Sequence, residues 1–221
     1  MKVCTDACVF GAWLCTKARA LFPDRFTALD IGAGTGLLSL MLAQETKAAV
    51  DAWELDEAAS KQAAGNVAAS LWSLRIRAVQ ADARSFVAGK LYDLIFSNPP
   101  FYEDSLPSPR GTTNLARHGE GLTMRQLLEV TDKHLSAAGY MGVLLPYYRT
   151  QAFLLLAASF GLYPVARLSL QHSPLHPFSR SCLLLSRTAV AEPAEEPLSI
   201  RSGGGYSQAF TTLLHNFYLH L

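Results

Sequence analysis

The segment Phe26–Gly36 (FTALDIGAGTG) constrains the fold more than any other part of the chain. Phe26–Gly32 is an apolar run of strand length. It enters a turn with glycines at 32, 34 and 36, and Thr35–Glu45 continues with apolar residues at helical spacing: Leu37, Leu38, Met41 and Leu42. The alternation then recurs. Ala48–Leu55 reads as a second strand and Asp56–Ser70 as an Ala-rich helix with Asp56 as its N-cap. Ile76–Asp82 reads as a third strand, and Tyr92–Asn98 (YDLIFSN) as a fourth, stopped by Pro99-Pro100. An unusually long loop follows, Phe101 to Leu122. Beyond it come a helix over Thr123–Ala138, a fifth strand over Gly139–Tyr147 and a helix over Thr150–Phe160. Leu162–His172 and Ser181–Val190 read as two final strands, and Tyr206–Leu221 as a closing helix after a Gly203–Gly205 turn. Such alternation predicts an α/β fold with a mostly parallel sheet covered by helices on both faces. Neither a repeat nor a second unit interrupts it, so residues 1–221 read as one domain.

Composition excludes some classes. Half the residues are hydrophobic and 17% are charged, which is unlike a disordered or collagenous chain. The formal net charge of +1 does not advertise a polyanionic partner, yet residues 105–187 carry eight basic and three acidic side chains. That segment is the candidate face for an anionic substrate. Cys4, Cys8, Cys15 and Cys182 fit neither a zinc site nor a disulfide scaffold, so reduced thiols and a cytoplasmic location are expected. His172 and His176 stand four apart but are split by Pro174, and no metal is assigned. Thr150–Ala166 and Ser202–Leu221 are uncharged but too short or too polar for a membrane span, and no leader pattern opens the chain.

The glycine turn has the spacing G-x-G-x-G with an acid, Asp30, two residues ahead of it. Glycines at 32, 34 and 36 permit positive φ and close approach of a ligand to the backbone, and the following helix N-terminus adds free N–H donors. Glu54 closes the second strand, where a carboxylate can accept from both hydroxyls of a ribose. The dinucleotide fingerprint is G-x-G-x-x-G. The shorter spacing with its leading acid suits S-adenosylmethionine better, because that cofactor has no pyrophosphate and Asp30 can hold its ammonium. Asp82, at the end of the third strand, can accept from the adenine amine while the Ala83 N–H donates to the ring. Asp82 can equally cap a short Ala83–Val87 helix.

Asn98-Pro99-Pro100-Phe101 sits where open α/β sheets place their ligands. An exocyclic amine or an amide nitrogen is a poor nucleophile because its lone pair is delocalised. Two acceptors, the Asn98 side-chain carbonyl and the Pro99 backbone carbonyl, would favour a more tetrahedral nitrogen with its lone pair free, on a corner stiffened by proline. Phe101 supplies a flat face for stacking a base, worth about 1–3 kcal/mol. Tyr102 stands beside it.

Asp30–Gly36, Glu54, Asp82 and Asn98–Phe101 together resemble the amino-methylating class I S-adenosylmethionine-dependent methyltransferases. Met1–Trp13 (MKVCTDACVFGAW), Asn98–Tyr102 (NPPFY), Asn114–His118 (NLARH) and Gly204–Leu219 (GGYSQAFTTLLHNFYL) resemble, more closely, the bacterial tRNA (valine) adenine-N6 methyltransferases. The resemblance implies a Rossmann-like seven-stranded sheet whose last strand is antiparallel. It implies methylation of N6 of an adenosine in the tRNA anticodon loop, at position 37. It also implies that Lys2, Thr5 and Asp6 border the cofactor, and that Pro100, Tyr102, Arg117 and His118 border the substrate. Family members usually carry a short segment ahead of Met1, so the N-terminal part of the domain is expected to be incomplete or its start misassigned. Cys4, Ala7 and Cys8 replace the commoner Gly, Gly and aliphatic.

Other families share the Asn-Pro-Pro core: ribosomal RNA guanine-N2 and protein glutamine methyltransferases stay open as alternatives, whereas 221 residues leave no room for the recognition domain of adenine-N6 DNA methyltransferases. The first often have a duplicated domain, and the second usually a helical N-terminal domain. A nicotinamide-dependent oxidoreductase would need a Tyr-x-x-x-Lys or similar pair, and a non-catalytic RNA-binding relic would have lost Asp30, Glu54 and Asp82. The expected partner is tRNA, with Arg110, Arg117, Arg125 and Arg180 as candidate phosphate contacts. A monomer is the favoured state.

Overall fold

The computed structural model of the chain describes residues 4–99 and 122–219. Lys2, Pro100, Phe101, Tyr102, Arg110, Arg117 and His118 lie outside the described residues. Helix α1 (Thr5–Leu21) leads into β1 (Thr27–Ile31), α2 (Leu37–Glu45), β2 (Ala49–Glu54), α3 (Glu57–Ala68), β3 (Ile76–Gln80) and β4 (Tyr92–Ser97). Past the long connection come α4 (Met124–His134), β5 (Leu135–Pro146), a 3-10 turn (Tyr147–Arg149), α5 (Thr150–Ala158), β6 (Tyr163–Gln171) and β7 (Phe178–Ser186). The chain ends with β8 (Ala194–Ser199), the small hairpin β9 (Arg201–Ser202) and β10 (Gly205–Tyr206), and α6 (Gln208–Leu214).

The sheet order is β3-β2-β1-β4-β5-β7-β6-β8. Strands β1 to β5 run parallel, and β7 is antiparallel to both its neighbours, β5 and β6. The seven-stranded sheet with one reversed strand is therefore present, and an eighth strand extends it. The Glu/Pro tract before Ile200 forms β8, parallel to β6 at the edge.

Burial on both faces explains the near-continuous apolar runs of the strands. On one face Ala28, Val50, Leu94, Phe96, Leu144, Leu168 and Leu184 pack under α1, α2 and α6. On the other, Leu29, Ile31, Trp53, Ile95, Val143 and Leu183 pack against α4 and α5. Helix α1 was absent from the sequence reading. It is buried almost all round, from Ala7 through Cys15, so it shows no amphipathic stripe. It approaches β5 so closely that a Cβ on Gly142 would lie 2.8 Å from Leu14 Cδ1.

Several boundaries differ from expectation: the third strand stops at Gln80 and not Asp82, the strand expected over Ser181–Val190 is Phe178–Ser186, and the closing helix expected over Tyr206–Leu221 is Gln208–Leu214. The helix predicted over Thr123–Ala138 stops at His134, and Leu135 already pairs with Tyr92 as β5. The Ala83–Val87 helix is instead a turn, with Ser85 N and Phe86 N both donating to Asp82 O. Among the described residues no helix is long and apolar enough to cross a membrane, and Cys4, Cys8, Cys15 and Cys182 are free thiols.

Candidate active site

In the strand order, β1 sits between β2 and β4, so the chain winds outward to β3 on one side and to β4 and beyond on the other. This is the topological switch point, where parallel sheets open a crevice at their carboxyl ends. Ile31 is in register with Trp53 on one side and with Ser97 on the other. Gly32, Glu54 and Asn98, the next residues of the three strands, therefore stand side by side, about 4.8 Å per strand. The buried Ser97 hydroxyl donates to Ile31 O at 2.7 Å and ties the two ends together.

Asp30 is fully buried. Its Oδ2 accepts from the Ser39 hydroxyl at 2.7 Å, while Oδ1 has no hydrogen-bond partner among the described residues. Burial pushes its pKa up to about 7; the Ser39 hydrogen bond opposes this and the Glu54 charge adds to it. An unpaired buried carboxylate oxygen is costly, and a cation relieves that cost. Ser39 was not singled out in the sequence. The signal was there, a lone hydroxyl within the apolar run LLSLML.

Gly32, Gly34 and Gly36 have φ of 72°, 58° and 81°. Among the described residues, a Cβ on Gly32 would meet no heavy atom within 4 Å, whereas one on Gly36 would touch Ala63 Cβ at 3.5 Å, so the turn is open at Gly32 and packed on α3 at Gly36. Both Gly32 N and Ala33 N donate to Trp53 O, which fixes the turn to β2. Glu54 accepts from Gly34 N at 2.7 Å through Oε2 and from Asp56 N at 2.9 Å through Oε1. Two of the roughly four lone-pair sites of that carboxylate remain for a ligand. Asp56 caps α3 as expected, accepting from Ala59 N at 2.7 Å.

Asp82 lies two residues beyond β3 and forms a close pair with Arg84, with Arg84 Nη2 at 2.6 Å from Oδ2. The guanidinium holds the Asp82 carboxyl below the usual carboxylate range. The neighbouring Ala83 is buried. Asn98 is half-buried and Pro99 buried at the end of β4. The Asn98 side chain has no partner among the described residues.

Thr5 and Asp6 open α1 at this same end of the sheet, but Asp6 is engaged elsewhere. It pairs with Arg180 of β7 at 3.1 Å, two strands beyond β4. Arg180 is thus held by a carboxylate, and Arg125 lies over the Phe160 ring, before β6 and at the opposite end of the sheet. Of the four candidate phosphate contacts, the described pair does not converge on Asn98.

The residues present fit S-adenosylmethionine. Its ammonium would supply the cation that the orphaned Asp30 oxygen lacks, and its ribose hydroxyls would find free acceptor sites on Glu54. A family model described as the methyltransferase small domain matches residues 1–152. The tRNA1(Val) (adenine(37)-N6)-methyltransferase of Flavobacterium johnsoniae is 36% identical, aligned over 100% of this chain and 94% of its own length. The protein of the same name from Bacteroides fragilis is 38% identical over 100% and 92%. Among solved structures, a predicted O-methyltransferase from Agrobacterium tumefaciens superimposes with a TM-score of 0.71 at 14% identity, covering 96% of each chain. The glycopeptide N-methyltransferase MtfA, complexed with S-adenosyl-L-methionine, superimposes at 0.58 with 12% identity over 80% and 93%. These likenesses carry the fold; the sequence matches, spanning nearly the whole of both partners, carry the kinship. The chain belongs to the methyltransferase small domain family, alongside the tRNA1(Val) (adenine(37)-N6)-methyltransferases.

Proposed function

We propose that this protein is a cytoplasmic, S-adenosylmethionine-dependent methyltransferase acting on N6 of the adenosine at position 37 of a valine tRNA. One observation carries the reading: a buried acid with an oxygen unsatisfied among the described residues stands one strand from an Asn-Pro corner whose half-buried side-chain amide has no partner among them either. The first suits a cationic methyl donor, the second an amine acceptor, and the relatives named for that reaction span the whole chain.

When bound, the cofactor supplies an electrophilic methyl group on a sulfonium. Asp30 accepts from its ammonium, Glu54 from its ribose hydroxyls and Asp82 from its adenine amine, while the Ala83 N–H donates to the ring. Lys2 and Thr5 border the cofactor side, while the Asp6 carboxylate is taken up by Arg180. The Asn98 carboxamide oxygen and the Pro99 carbonyl accept the two N–H bonds of the target amine and orient its lone pair. Phe101 stacks on the target base, and Pro100, Tyr102, Arg117 and His118 border it. The proton leaves after the nitrogen has gained its methyl group, when it is acidic, so no strong general base is required. An anticodon-loop base is reached without opening a duplex, which keeps the cost of extrusion low.

The test is nucleoside mass spectrometry after incubating the purified protein and cofactor with a valine tRNA transcript, a ribosomal RNA fragment and a glutamine-containing peptide. N6-methyladenosine at position 37 is expected. Methylation of guanine N2 or of glutamine instead would overturn the reading.

A further inference from the structure

Beyond β4 the carboxyl end of the sheet continues over β5, β7, β6 and β8, and the proposed chemistry makes no use of it. Aromatic and basic side chains collect there. The 3-10 turn after β5 sets the Tyr147 ring 5.2 Å from Phe178 and leaves Tyr148 74% exposed, with the Arg149 guanidinium 5.7 Å from its ring. The β6–β7 turn carries His172 and His176 with rings 5.1 Å apart. Arg201 N donates to His172 O at 2.9 Å, which docks the β9–β10 hairpin beside that turn. The Arg201 guanidinium lies 5.1 Å from the Tyr206 ring, and both residues are exposed.

Acids are missing from the same stretch. The sequence has no Asp or Glu between Asp132 and Glu192, and none after Glu196. Asp132 sits at the opposite end of the sheet, paired with Arg187, and Glu195 and Glu196 lie along β8 beside the middle of β6, neutralised by Arg167 and Lys17. Asp6, which does reach this end, is neutralised by Arg180. Among the described residues, Arg201 has no carboxylate partner at all. Guanidinium groups beside open aromatic faces grip phosphates and stacked bases together.

We propose that this strip, centred on Tyr148, Arg201 and Tyr206, is a second RNA-contact surface that holds the substrate RNA away from the reacting base. The inference rests on the proposed tRNA reading. From β4 to β6 and β8 are three and four strand spacings, about 15–20 Å at about 4.8 Å each. That puts Arg201 and Tyr206 out of reach of the target base and within reach of the rest of a folded RNA, while Tyr148, which follows β5, marks the inner edge of the strip one spacing from β4. The strip sets affinity and leaves the chemical step alone.

The test measures tRNA KM, kcat and cofactor affinity for Arg201→Glu and for Tyr206→Ala. Lys133→Glu, at the far end of the sheet, is the control. Each strip variant raises KM for tRNA by about tenfold or more with kcat and cofactor affinity unchanged, and Arg201→Glu lowers the salt slope of log KM by about one. Arg201→Gln serves if the charge reversal does not fold, with a smaller rise in the same direction. If wild type methylates tRNA but the variants keep KM within about twofold, or lose kcat instead, the strip is not a docking surface. If wild type methylates no RNA, the tRNA reading falls and this inference with it.

Discussion

Asp30 gives the site a pH signature. Its ordinary pKa of 3.8 holds in the unfolded chain, whereas in the ligand-free fold it titrates near 7. A raised folded-state pKa means that its contribution to folding is full below about pH 4 and is lost as pH rises through about 7. Cofactor binding works in the other direction, because the ammonium needs the carboxylate. Calorimetric Kd for S-adenosylmethionine is expected to rise by about tenfold per pH unit below pH 7, and Asp30→Asn flattens that profile while weakening binding. Asn98→Ala, which removes one prearranged acceptor, is expected to lower kcat for tRNA by about 10²–10³, in the range seen for deleting a single polar group aimed at a reacting centre. Retention of more than a tenth of the rate would contradict the amine-orienting role. Asp30, Glu54, Asp82 and Asn98 were readable in sequence because each is pinned to a strand end by its immediate neighbours. Arg201 and Tyr206 were not, since only the long-range pairing of β6 with the segment after β8 brings them beside His172.

At the level of elements, β1 to β4 and their glycine turn followed from apolar runs and punctuation alone. The α4–β5 junction did not. Leu135–Ala138 contains good helix formers, yet Leu135 is drawn into pairing with Tyr92, and tertiary contact overrides propensity. The start of α4 is clearer: the Thr123 hydroxyl accepts from Gln126 N at 3.1 Å while the Gln126 side chain accepts from Thr123 N at 3.0 Å. This reciprocal cap predicts that Thr123→Ala costs about 1 kcal/mol in denaturant unfolding. Gly142→Ala forces a Cβ to 2.8 Å from Cδ1 of the buried Leu14 in the α1–β5 contact. It should cost about 1–3 kcal/mol and lower Tm without altering the switch-point residues.

Across the whole molecule, the two flanking layers draw on distant parts of the sequence. Helix α6 packs on α1, with Phe210 and Leu214 fully buried in the same cluster as Phe10 and Trp13. Tyr218 reaches Thr5 and Cys8 with its hydroxyl, whose pKa burial pushes up to about 12. The Asn216 carbonyl and side chain bind Gln44 and Glu45 of α2. Phe210→Ala is therefore expected to cost about 3–5 kcal/mol and to destabilise α1 and α6 together, read as a single cooperative loss of amide-exchange protection in both. A ribosome making this protein exposes the greasy flank of α1 early and must carry on through Phe210 and Leu214 before its cover arrives. The nascent enzyme depends on quick synthesis or on a chaperone to keep that flank from sticking elsewhere.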